Sequence, residues 1–166
     1  EGRAAPAVDA ARLVGAIDRA LDAGDRVRAA QAADAVRIAF GGLARRRDRL
    51  AVADAYRGSR AVETAPRLLV SADEAARDLG IVIAEQSRDI RFTPQLAALA
   101  DTPRALAALR AVWEAPAYTN EQAAALRAGL RFGRGAVDRM FERHGEAALG
   151  PRGTARFRRV AAGDAG

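Results

Sequence analysis

The chemistry open to this chain is concentrated in its arginines. Arg127, Arg131 and Arg134 are spaced four and three residues apart, so on a helix they share one side, away from Leu126, Leu130 and Val137. A second cluster, Arg45, Arg46, Arg47 and Arg49, surrounds the single acid Asp48. The chain has 27 Lys plus Arg, and every one of them is Arg. A guanidinium offers a planar fork of donors that matches carboxylate and phosphate oxygens. The chemistry expected is therefore recognition of an anion, with Arg127, Arg131, Arg134, Arg45, Arg46 and Arg49 as the contact residues. The competing reading is compositional: a genome that favours Arg, Ala and Gly would scatter the same side chains over solvated faces.

The charge is localised. Residues 127–159 hold nine arginines against Asp138, Glu142 and Glu146, and the stretch 45–60 is also basic, while the rest of the chain is slightly acidic. The net charge is +6 and the sequence pI about 11.1. Such a distribution suits an acidic protein or another anionic ligand, and nucleic acid would be held only without sequence preference.

Other chemistry is scarce. Cysteine is absent, which removes disulfides, thiolate metal sites and thiol nucleophiles. His144 is the only histidine, and one His without an acid pair at ligand spacing makes a poor metal site. It continues the line of Val137 and Phe141, so it reads as a partly buried residue at a helix end. Ser59, Ser71 and Ser87 sit in no nucleophile motif, and no glycine-rich loop follows a strand. No catalytic residue, metal ligand or cofactor is assigned on these grounds. The expectation is a non-enzymatic bacterial binding or sensory domain. The opening EGRAAPAVDA reads as a mature terminus after signal removal or as an excised domain, which favours an extracytoplasmic location. No run reaches the ~20 apolar residues of a membrane-spanning helix. Oligomeric state leaves no trace in the sequence.

The stretch Ser71–Ile90, SADEAARDLGIVIAEQSRDI, raises a second possibility, a DNA-binding regulator. Ala76, Gly80 and Ile81 fall where a helix-turn-helix places a small residue, a turn and an apolar residue. Gln86 and Asp89 fall where its second helix needs apolar ones, and the segment is acid-rich, which opposes contact with phosphate. The simpler reading is a capped helix that ends or bends at Gly80. A third possibility comes from Leu43–Arg57, LARRRDRLAVADAYR, which resembles the first helix of the small all-helical chorismate mutases. The resemblance implies that Arg46 and Arg57 grip a dicarboxylate, with Glu85 or Gln86 beside the breaking ether bond. The chain departs from that family in having no Lys.

The elements that must position these residues are helical. Leu13, Ile17 and Leu21 predict a helix over 8–23, stopped by Gly24, and Asp25 can cap the next, which carries Val36, Phe40, Leu43 and Leu50 and is interrupted at Gly41-Gly42. Residues 58–66 read as a linker. Ser71 and Glu74 form the pattern of a capping box, Thr93-Pro94 and Thr102-Pro103 open two further helices, the second ending before Pro116, and Thr119 with Gln122 caps a long last one. Gly129, Gly133 and Gly135 within it call for close packing or for a ligand against bare backbone. The fold expected is all-α, a bundle of about five to six helices in antiparallel hairpins, with one domain over 1–150 and a flexible basic tail over 151–166.

Overall fold

The computed structural model describes residues 5–114 and 118–163. Among these residues the chain is helical and has no strand. No helix among the described residues is long and apolar enough to cross a membrane. The helices of the described residues number nine, not five or six: α1 (Ala5–Asp22), α2 (Arg26–Ala39), α3 (Arg46–Tyr56), α4 (Arg60–Leu69), α5 (Glu74–Ser87), α6 (Thr93–Ala98), α7 (Pro103–Glu114), α8 (Asn120–His144) and α9 (Pro151–Ala162). Pro116 lies outside the described residues. The chain divides into two compact units, 1–87 and 88–166.

Three features account for the larger helix count. Gly41, Gly42 and Leu43 all have positive φ (56°, 71° and 62°), so the interruption expected there is a full break that separates α2 from α3. The expected linker is a helix, α4. Ser59 Oγ accepts from Val62 N at 3.2 Å, and Asp18 Oδ1, on α1, accepts from Ala61 N at 2.9 Å, so two of its orphan amides are satisfied. Burial of Ala61, Val62, Ala65, Leu68 and Leu69 carries the helix through Pro66. The segment expected as a tail over 151–166 is helical over 151–162, and its residues 164–166 lie outside the described residues. Pro151 starts α9, whose Phe157 and Val160 are buried and whose Phe157 ring meets Trp113 edge to face at 5.5 Å.

In the first unit, α1 packs on α2, α3 and α4, and α5 packs on α4, α3 and α2. Val14, Ile17, Val36, Val52, Tyr56 and Ile83 fill the space between them. The Ser71–Glu74 capping box is not formed. Ser71 Oγ accepts from Asp73 N at 3.1 Å, one residue before the Glu74 amide that the box requires, and Arg77 Nη1 closes the loop by donating to the Ser71 and Ala72 carbonyls.

In the second unit, α8 packs on α6 and α9, and α7 packs on α6 and α9. The Thr119–Gln122 capping box is present with both of its bonds. Trp113 is buried and donates through Nε1 to Thr93 Oγ1 at 3.0 Å, and that hydroxyl donates to the Ile90 carbonyl at 2.7 Å. The three glycines of α8 have different roles. A Cβ on Gly133 would lie 2.4 Å from Pro94 Cβ, so α6 and α8 meet where no side chain fits. Gly129 has ordinary clearance from Pro94. Gly135 is exposed, and its nearest neighbour is the flexible end of Arg139 on the same helix.

These two sites predict opposite outcomes for one substitution. Gly133→Ala should destabilise by about 1–3 kcal/mol through overpacking against Pro94. Gly135→Ala should stabilise by up to about 1 kcal/mol through helix propensity. Urea unfolding of the two variants checks this, and equal stabilisation by both would show that α6 and α8 do not approach so closely.

Candidate functional site

Arg131 and Arg134 are exposed on α8 and make no ion pair or hydrogen bond among the described residues. Arg127 shares their side of the helix but is partly committed, since its Nη1 donates to the Val160 carbonyl in the last turn of α9 at 3.3 Å. Asp138 follows on the same side without pairing to them. Phe132, 95% exposed, lies about 100° round the helix from Arg131 and so belongs to the other flank, with Arg139. Sequence periodicity placed the three arginines together and gave no sign of that bare aromatic.

The second cluster is in the first unit and divides in the same way. Arg45 and Arg46 are exposed at the start of α3 with no partner among the described residues. Arg47 lies 3.8 Å from the buried carboxylate of Asp48. Arg49 is structural: its Nη1 donates to the Leu43 and Ala44 carbonyls at 3.3 and 2.8 Å, which holds the left-handed turn at Leu43. Of the six candidate contact residues, four present a free guanidinium and two are engaged with backbone.

The stretch 71–90 is not a helix-turn-helix. Helix α5 is continuous through Gly80, and Gly80 faces α4, where a Cβ would come within 3.0 Å of Leu69 N. Gln86 and Asp89 are polar yet buried. Tyr56 donates its hydroxyl proton to Gln86 Oε1 at 2.5 Å, and Gln86 Nε2 donates to the Ala33 carbonyl at 3.0 Å. Asp89 Oδ2 accepts from Arg91 Nη2 at 2.6 Å. The same geometry bears on the mutase-like reading. Both ends of the Gln86 amide are committed inside the core, whereas Arg46 and Arg57 are exposed and Arg57 pairs with Asp54 at 3.2 Å.

Burial drives the Tyr56 phenol well above its ordinary pKa, and the Asp18 carboxylate adds to the shift. The buried triad of Tyr56, Gln86 and Ala33 is thus a neutral tie between α3, α5 and α2. No group of three or more His, Cys, Asp or Glu among the described residues could hold a metal ion. His144 is half-buried in the last turn of α8, beside a cavity of about 230 Å³ that Asp101, Arg139 and Arg143 also line, and its Nε2 is buried without a hydrogen-bond partner among the described residues. Arg143 is tied to Asp101 there.

A further basic set was not legible in the sequence. Arg110, Arg152 and Arg156 line one cavity in the second unit, two of them contributed by the segment read as a tail. The run of arginines after Leu149 was the available signal, and only the packing of Phe157 turns it into a fixed wall. No family model, characterised protein or solved structure matches the chain.

Tyr56 supplies a pH-dependent test. Tyr56→Phe leaves Gln86 Oε1 buried without its donor and should cost about 1–3 kcal/mol at neutral pH. Above pH ~10 the unfolded tyrosine ionises while the buried one keeps its proton. The unfolded chain then binds fewer protons than the folded one, so the contribution of Tyr56 is lost as pH rises. The stability gap between wild type and Tyr56→Phe should therefore narrow above that pH. A gap that stays constant would show that the phenol is not enclosed.

Proposed function

We propose that this chain is a non-enzymatic helical binding module that contacts an anionic partner, an acidic protein in the first instance, through its exposed arginine faces. The observation that carries the reading is that Arg131 and Arg134 stand together on one exposed face without a partner among the described residues, in a chain where many other arginines bond within the fold. Among the described residues, Arg49, Arg77, Arg88, Arg110, Arg127 and Arg156 donate to backbone carbonyls. Arg12, Arg26, Arg37, Arg57, Arg60, Arg91, Arg143 and Arg158 pair with acids. Like charges three or four residues apart cost an isolated helix about 0.2–0.5 kcal/mol per pair. Folding gains nothing from Arg131 and Arg134, so an external anion is a physical reason for them.

Arg45 and Arg46 support the same reading from the first unit. They stand at the N-terminus of α3, where the helix dipole disfavours cations, and only Asp48 in that turn offsets them. With no turn in α5, a sequence-specific DNA-reading head has no geometric support, and nucleic acid enters only as a polyanion.

The test reverses charge on one face. Arg131→Glu with Arg134→Glu is compared with Arg19→Glu with Arg37→Glu, which changes the net charge equally at exposed sites elsewhere. The α8 variant should keep or slightly raise the melting temperature and should leave immobilised poly-glutamate at clearly lower salt than the control variant. Binding followed in real time should lose chiefly on-rate. Identical elution of the two variants would reduce the face to a solvated surface, and unfolding of the α8 variant would make these arginines structural. Tighter retention on duplex DNA than on poly-glutamate, lost in the α8 variant alone, would move the partner to nucleic acid.

A further inference from the structure

We propose that the cavity between the end of α7 and the start of α9 binds a small phosphate monoester. Its volume is about 600 Å³, and its walls include Arg110, Glu114, Leu149, Pro151, Arg152 and Arg156. That size falls within the ~300–1,000 Å³ usual for small-molecule sites.

The guanidiniums are set before any ligand arrives. Arg110 Nε donates to the Ala147 carbonyl at 2.8 Å. Arg156 Nη1 donates to the Trp113 and Glu114 carbonyls, both at 2.9 Å. Each arginine is thus fixed through one nitrogen, and its remaining terminal donors make no bond among the described residues. Fixing a long side chain in advance lowers the ordering cost of binding. Arg152 has no ion pair or hydrogen bond among the described residues and stands in the first turn of α9, whose N-cap, Gly150, offers no side chain. A cation there opposes the helix dipole, so folding does not explain it.

The local field is positive. Glu114 is the only acid of the lining, and its Oε2 lies 3.8 Å from Arg88 Nη1, which offsets part of its charge. Three guanidiniums against one compensated carboxylate favour a dianion over a monoanion. A phosphate monoester carries about −1.5 to −2 charges and three strong acceptor oxygens, which a carboxylate does not. Leu149 and Pro151 supply an apolar wall. The group esterified to the phosphate is therefore placed on an apolar surface, and an aromatic or aliphatic body is preferred to a bare ion. This site is made of residues other than Arg131 and Arg134, and it stands or falls independently of the α8 face.

The experiment titrates the full chain with phenyl phosphate, inorganic phosphate and benzoate at constant ionic strength, read by calorimetry and by the shift in melting temperature. Phenyl phosphate should saturate one site and raise the melting temperature, inorganic phosphate should bind more weakly, and benzoate weakest. Arg152→Gln should weaken phenyl phosphate about tenfold, the loss of one charge-assisted contact, without changing the melting temperature of the free protein. Arg110→Gln should weaken it too, and if that variant is unstable Arg152→Gln decides. Arg131→Gln with Arg134→Gln should leave the affinity unchanged. The proposal is overturned by absence of saturable binding at millimolar phenyl phosphate, by unchanged affinity in Arg152→Gln, by equal loss in the Arg131/Arg134 variant, or by benzoate binding as tightly as the phosphate ester.

Discussion

An alanine-rich chain can bury enough surface only if its helices come close together, and three glycines decide where they do. A Cβ on Gly80 would press on Leu68 and Leu69 of α4, one on Gly133 would overlap Pro94 of α6, and one on Gly153 would lie 3.1 Å from Trp113 Cβ of α7. Each marks a seam between two helices of one unit: α5 with α4, α8 with α6, and α9 with α7. Alanine contributes little area, so the seam must be narrow for Leu, Val and Ile on either side to meet. The larger side chains then fill what remains, as Trp113 and Phe157 do beside Gly153.

Close approach also explains how several polar groups are buried here with their hydrogen bonds made. Where helices are near, a side chain can reach a polar group of another helix. Asp18 reaches Ala61 N, Gln86 reaches the Ala33 carbonyl, and Trp113 reaches Thr93 Oγ1. A buried polar group left without such a partner costs about 1–3 kcal/mol. The tie through Tyr56 therefore adds order to the first unit only because both its ends are satisfied.

What could be read from the sequence follows the same division between local and tertiary causes. Signals that act within one turn were legible: Gly24 ends α1, Asp25 caps α2 by accepting from Arg28 N, Pro94 and Pro103 open helices, and Thr119 with Gln122 closes its box. Signals that depend on another helix were not. Residues 58–66 look like a linker because Gly58 and Pro66 bound them, and α4 exists because α1 caps it and the core covers it. Gln86 and Asp89 look like surface residues because they are polar, and they are interior because Tyr56 and Arg91 meet them. The segment after Leu149 looks like a tail because it is rich in Arg and Gly, yet Gly153 is what lets it pack. For the candidate site, spacing put Arg127, Arg131 and Arg134 on one side of α8, but only the bond from Arg127 to Val160 separates the committed member from the free pair.

For several arginines the partner depends on which helix end the guanidinium reaches. At carbonyl ends the guanidinium finds partners within the fold, as Arg156 does at the last carbonyls of α7 and Arg127 at the end of α9. This is the favourable end of the dipole for a cation. At amino ends an arginine needs an acid. Arg26 has Asp73, in a turn that Asp25 also caps, and Arg60 has Asp22 and Glu63. Arg45 and Arg46 at α3 and Arg152 at α9 stand at amino ends with no such partner among the described residues. Arg19, Arg67 and Arg159, in the last turns of α1, α4 and α9, also lack a partner among the described residues, but there the helix dipole itself favours the charge. On the proposed reading, the unmatched amino-end arginines are where an anion from outside the chain would do what Asp22 and Asp73 do from within it.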